Sequence, residues 1–244
     1  MRLFILFFAL FFAFGCTRTT EDLQVATAVD YFPVSVGKYR TYRTDSTVFL
    51  NFGSITETHS YQEKHLVDAE ITDGSGKPAF RIQRLIRNAN ATTEPWKASG
   101  YYTITVGNAL EVVENNLRII KLVSPVETGI KWKGNAYLST DPYLPLFKFD
   151  LIREFGDWMY EYQTTGETMS LSGKTFNDVV TVAGVDESFN VPIMNLQQFG
   201  YKKYDVEKYA KDVGLIYQDL QLWEYQPNTK YIGFGVKRTL IDYN

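Results

Sequence analysis

Apolar and polar residues alternate along most of the chain from residue 38 onward. Lys38 to Asn51 and Thr56 to Thr72 are long alternating stretches, and the second ends at Asp73-Gly74-Ser75-Gly76-Lys77-Pro78, a hairpin signal. Beyond it Phe80, Ile82 and Ile86 share one parity, while Arg81, Gln83 and Arg87 share the other. Period two of this kind predicts strands. Tyr102, Ile104 and Val106 alternate with Tyr101, Thr103 and Thr105. Gly107-Asn108 then turns the chain into 109–114, and Asn115-Asn116 turns it again into 117–123. Ser139 to Phe147 carries Pro142 and Pro145, and predicts a break between two sub-sheets near 139–147. Trp158, Tyr160 and Tyr162 then share one strand face. Ser172-Gly173-Lys174 turns into a β-branched run, Asp212-Val213-Gly214 separates two further strands, and 233–243 closes the chain as a last one. The fold class is therefore mainly β: one domain over 30–244, with ten or so antiparallel strands. The pattern leaves a curved sheet, an open barrel and a sandwich equally open.

The first residues break this pattern. Arg2 is followed by twelve uninterrupted apolar residues, Leu3 to Phe14, and then by polar Thr17-Arg18-Thr19-Thr20. A membrane-spanning helix needs about 20 apolar residues, so the stretch predicts a signal-peptide helix over 1–15 rather than a transmembrane anchor. Cys16 is the only cysteine in 244 residues and stands directly behind this leader. Residues 16–29 have few large side chains and predict a tether.

Ala13-Phe14-Gly15-Cys16 resembles a bacterial lipobox, with small residues at minus three and minus one. The resemblance implies that Cys16 carries diacylglycerol and an amide-linked acyl chain such as palmitate after the leader is removed. Two or three acyl chains suffice for stable membrane attachment, where one does not. Phe14 departs from the commonest pattern, which has a smaller residue there. The segments FPVSVGKYRTY (32–42) and YAKDVGLIY (209–217) are similar to segments of uncharacterised envelope lipoproteins of the Bacteroidota. That resemblance covers 30–244 and implies structure rather than activity, since its shared features are Gly turns and aromatic strand positions. Thr17 behind the anchor implies the outer membrane. The acidic pair Glu21-Asp22 resembles surface-export signals but lies further from Cys16 than those do, so the periplasmic and surface sides both stay open.

Composition narrows the function by exclusion. The chain carries 25 basic and 28 acidic side chains, a net charge of -3 that becomes -4 without Arg2. No basic patch suited to nucleic acid is present. Six of the 17 Phe lie in the leader, so Tyr, with 17, dominates the body, as suits half-buried sheet surfaces.

Candidate chemistry is sparse. His59 and His65 are six apart on a strand, which separates them by about 20 Å and excludes one shared metal. No Gly-x-Ser-x-Gly occurs, and Ser75 beside Asp73 reads as turn chemistry. Asn90-Ala91-Thr92 matches a glycosylation acceptor and reads as a loop. Glu111 and Glu114 fall on opposite strand faces. Glu154 and Asp157, three apart beside Trp158 in a stretch that admits a helical turn, are the one carboxylate pair suited to hydrolysis of envelope glycans. Trp158, Tyr160, Tyr162, Trp223 and Tyr225 form the most prominent aromatic set, either core or one wall of a concave sheet. The expectation is a non-catalytic module without cofactor or metal. Its ligand would be apolar, a glycan or an envelope protein. A carboxylate-dependent hydrolase is the alternative.

Overall fold

The computed structural model describes residues 25–144 and 146–244. The leader, Cys16, the Glu21-Asp22 pair and Pro145 lie outside the described residues. Twelve strands form a single sheet: β1 (Tyr39–Leu50), β2 (Ile55–Thr72), β3 (Pro78–Asn88), β4 (Lys97–Val106), β5 (Ala109–Glu114), β6 (Leu117–Val123), β7 (Lys131–Lys133), β8 (Met159–Leu171), β9 (Lys174–Phe189), β10 (Gly200–Ala210), β11 (Gly214–Gln226) and β12 (Lys230–Tyr243). No α-helix is present among the described residues. Phe155–Asp157 forms one 3-10 turn, where the sequence admitted a helical turn.

The ladder runs β6-β5-β4-β3-β2-β1-β12-β11-β10-β9-β8-β7. Every sequence neighbour is thus a sheet neighbour, apart from β6 and β7, and the first strand pairs with the last through Arg40↔Tyr243 to Thr47↔Gly235. The two edges, β6 and β7, are joined by only a short connection, so the sheet curls almost into an up-and-down barrel. Its seam is closed sparsely. The Ile120 N–H donates to the Gly134 carbonyl at 2.8 Å. The Trp132 indole N–H donates to the Ile120 carbonyl at 2.9 Å. The Tyr162 hydroxyl bridges both backbone groups of Val123. The expected division at 139–147 falls outside the ladder. Pro142 lies in the connection between β7 and β8, and the one gap in the ladder is between β6 and β7.

Eight strands make a barrel that side chains just fill, whereas sixteen or more leave a channel. Twelve leave more room than their own side chains occupy, and two non-strand segments occupy part of it. The connection between β7 and β8 lays Tyr143, Phe147 and Phe149 against Phe234 and Phe155. It is held by the Asp150 and Leu151 N–H groups donating to the buried Glu224 carboxylate. The second segment precedes β1. Ala28 is fully buried and its N–H donates to Ser124 Oγ, while the Ala26 carbonyl accepts from the Val126 N–H. Ala26 and Ala28, within the stretch expected to be tether, thus pack against the core.

The two sequence segments that carry the resemblance pack against each other at this end. Arg40 donates to the Val213 carbonyl at 2.5 Å and to the Pro33 carbonyl at 2.8 Å. Its guanidinium also lies 4.3 Å from the centroid of the Phe32 ring. The Tyr42 hydroxyl donates to the Leu215 carbonyl. Gly214 has φ +105°, and a Cβ there would stand 2.3 Å from Arg40 Nε, so the turn between β10 and β11 requires glycine.

Candidate functional site: an interior cavity

The interior retains a cavity of about 430 Å³. It lies between β2–β6 on one side and β10–β12 on the other, with Tyr143 and Phe32 reaching in from the two filling segments. Ser99 and Asn115 are the lining residues exposed to solvent, so the mouth opens beside the β3–β4 and β5–β6 connections. Phe32, Leu110 and Tyr209 are buried and form the floor.

Strand alternation explains the apolar lining, since Leu110 and Val112 of β5, Leu117 and Ile119 of β6, and Val236 of β12 all hold inward positions. Charged residues occupy the same rows. On β2 these are Glu63 and His65, on β3 Arg84, on β5 Glu114, on β6 Lys121, on β10 Glu207 and on β12 Arg238. Burying charge this way is costly unless each group is paired. Arg238 Nε donates to Glu63 Oε2 at 2.9 Å and its Nη1 to Gln218 Oε1 at 2.6 Å. Thr44 also donates to Glu63 Oε2. Lys121 and Gln218 both donate to Glu207 Oε1, at 2.7 and 2.8 Å, and the Tyr209 hydroxyl donates to Glu207 Oε2. Arg84 Nη1 pairs with Glu114.

Burial alone would raise the Glu63 carboxyl, but Arg238 and His65 outweigh it and hold it well below the usual range. The same Glu63 contact raises Arg238 against the effect of its burial. Burial would lower Lys121, and Glu207 and Asp205 raise it instead. Asp205 lies beneath this set without lining the cavity. Its burial, reinforced by Glu207, pushes it up to about 6 against the pull of Lys121 and of the Tyr160 hydroxyl. Two nitrogens have no hydrogen-bond partner among the described residues: His65 Nε2, 3.3 Å from Glu63 Oε1, and Arg84 Nε, 3.6 Å from the same oxygen.

The aromatic set singled out from sequence does not line this cavity. Trp158, Tyr160 and Tyr162 are buried in the core, where Tyr160 donates to Asp205 Oδ2 at 2.9 Å and Tyr162 to the Val123 carbonyl at 2.6 Å. Trp223 and Tyr225 lie on the opposite face of the sheet, against Tyr231, with Phe49 also packed on Trp223. The five are not one wall, because 223 and 225 have the outward parity of β11. Glu154 and Asp157 are exposed away from the cavity, and Asp157 pairs with Lys133. His59 sits at an exposed end of β2 against Glu57, far from the position of His65. Among the described residues no cluster of His, Cys, Asp and Glu is suited to a metal.

No protein-family model matches the chain, and no curated protein matches it. Two solved structures are similar. One is a candidate exported protein with a YmcC-like fold from Bacteroides fragilis, 13% identical, covering 88% of this chain and 98% of that one with a TM-score of 0.36. The other is a candidate lipoprotein from Parabacteroides distasonis, also 13% identical, covering 91% of this chain and all of that one with a TM-score of 0.36.

The cavity residues were missed by the sequence reading, though a signal existed. Three of them are cations inside otherwise apolar alternate rows: Arg84 between Ile82 and Ile86, Lys121 after Leu117 and Ile119, Arg238 between Val236 and Leu240. A charge on the inward parity of a strand points to a polar interior.

Proposed function

We propose that this chain is a lipid-anchored protein of the bacterial envelope, attached through Cys16 to the outer membrane, and that its barrel carries a small amphipathic ligand without transforming it. The observation that carries the binding reading is the cavity. Its volume of about 430 Å³ lies within the range of roughly 300–1,000 Å³ typical of small-molecule sites, and its wall joins apolar rows to ordered polar groups. The anchor reading rests on the leader and on the position of the lone cysteine. Binding rather than catalysis is favoured because Glu63, Glu114 and Glu207 are each engaged by a cation of the protein's own. A general acid or base needs a free and accessible proton site.

Native mass spectrometry of the protein purified from its own envelope tests both halves. The expected result is a chain beginning at an acylated Cys16, with a small amphiphile retained on the folded protein and lost on unfolding. An unacylated chain overturns the anchor. A clean mass with no adduct overturns the carrier reading.

A further inference from the structure

The hydrogen-bond inventory of the cavity is lopsided, and this bears on what fills it. The acceptors are largely used. Both oxygens of Glu207 accept from protein donors, and Glu63 Oε2 accepts from Arg238 and Thr44. The donors are not. Lys121 spends one of its three N–H groups, on Glu207. Arg84 spends Nη1 on Glu114, while its Nε has no partner among the described residues. His65 Nδ1 is engaged with the Tyr102 hydroxyl at 2.9 Å, and its Nε2 faces Glu63 Oε1 at 3.3 Å. The Arg84 Nε also faces Glu63 Oε1, at 3.6 Å, so the N–H groups left for a guest are those of Lys121 and the rest of the Arg84 guanidinium, and they favour one that brings acceptors. Between the charged positions the lining is apolar: Val112, Leu117, Ile119, Leu220 and Val236 offer a polar guest nothing.

We propose that the ligand is a single-chain amphiphile with an oxyanion head, such as a fatty carboxylate or an alkyl phosphate. Its head is held at Arg84 near the mouth and its chain lies along the β5, β6 and β12 rows. This proposal rests on the carrier reading above and adds the charge of the head and the residue that selects it. Arg84 is the selecting group because a guanidinium offers two adjacent N–H donors to an oxyanion. Its neighbours Ser99 and Gly100 bring that end of the cavity within reach of solvent.

The test is calorimetric titration of the Cys16→Ala chain, which carries no acyl group of its own, with decanoate, decyl phosphate, decanol and decyltrimethylammonium. Decanoate or decyl phosphate is expected to bind about tenfold or more tightly than decanol, one charge-assisted hydrogen bond being worth about that factor. Arg84→Gln is expected to remove this preference and leave decanol unchanged, and Ser99→Trp at the mouth to block all binding while the circular dichroism of the sheet is retained. Decanol binding as tightly as the anions, or the ammonium amphiphile binding best, overturns the oxyanion head and leaves the carrier reading standing. No binding by any of the four overturns both.

Discussion

At the scale of single residues, Asp205 and Glu63 carry opposite pH dependences. Asp205 is buried, and its carboxyl is raised from 3.8 to about 6. A raised folded-state value means that its contribution is fully present below pH 3.8 and is lost as the pH rises through about 6. Asp205→Asn keeps an acceptor for the Tyr160 hydroxyl and removes the buried charge. The variant is expected to gain roughly 1–3 kcal/mol at neutral pH and nothing in strong acid, as read from denaturant midpoints across that window. An equal gain at every pH would show that the charge is not the cause. Glu63 is held well below its usual value of 4.5, so its stabilisation is present above that pH and is lost as the pH falls. Glu63→Gln leaves Arg238 buried without its carboxylate. Breaking one side of such a pair costs about 3–5 kcal/mol, seen as a lower denaturant midpoint with an unchanged slope. A loss below about 1 kcal/mol would mean that water or Glu114 compensates the guanidinium.

At the scale of elements, the seam between β6 and β7 is where the barrel is weakest, and Tyr160 is its keystone. The ring lies between two glycines. A Cβ on Gly184 would meet Tyr160 Cε1 at 2.9 Å, and one on Gly134 would meet Tyr160 Cδ2 at 2.4 Å and the Ile120 carbonyl at 2.9 Å. Gly184 is the extra residue of a bulge, opposite the step between Asp205 and Val206. The ring cannot swing aside because its hydroxyl is tied to Asp205 and Asn135. Gly184→Ala is expected to cost about 1–3 kcal/mol and Gly134→Ala more. In Gly134→Ala alone the Ile120 amide, which crosses the seam, is expected to exchange with solvent faster than the amides of β1 or β12. Uniform loss of protection would make the seam no weaker than the rest. The strands themselves were legible from period two, and the turn at Asp212-Val213-Gly214 from its glycine, because both are local. The closure was not legible. It depends on the pairing of β1 with β12 and on three bridges at the seam, all of them long-range. The aromatic set divides between two faces for a related reason. Parity tells which residues share a face, but Tyr160 and Trp223 stand on different strands, and only the register relates their faces.

At the scale of the whole molecule, the meander sorts the connections between two ends. The segment before β1, the β6–β7 connection and the β10–β11 turn share one end. The β3–β4 and β5–β6 connections, beside the mouth, share the other. Val25, the first described residue, lies at the floor end, next to Ala26 and the β6–β7 connection. The nine residues from there back to Cys16 span at most roughly 30 Å when extended, which would hold the floor toward the membrane and turn the mouth away from it. Because Cys16 is the only cysteine and lipidation would consume its sulfur, Asn115→Cys at the exposed rim supplies a single free thiol. On vesicle-bound protein this thiol is expected to react with a membrane-impermeant maleimide as fast as in protein released by proteolysis of the tether, and decanoate in the cavity is expected to slow it. A reaction several-fold slower on vesicles, with the labelled fraction counted by mass spectrometry, would place the mouth against the lipid and reverse the orientation.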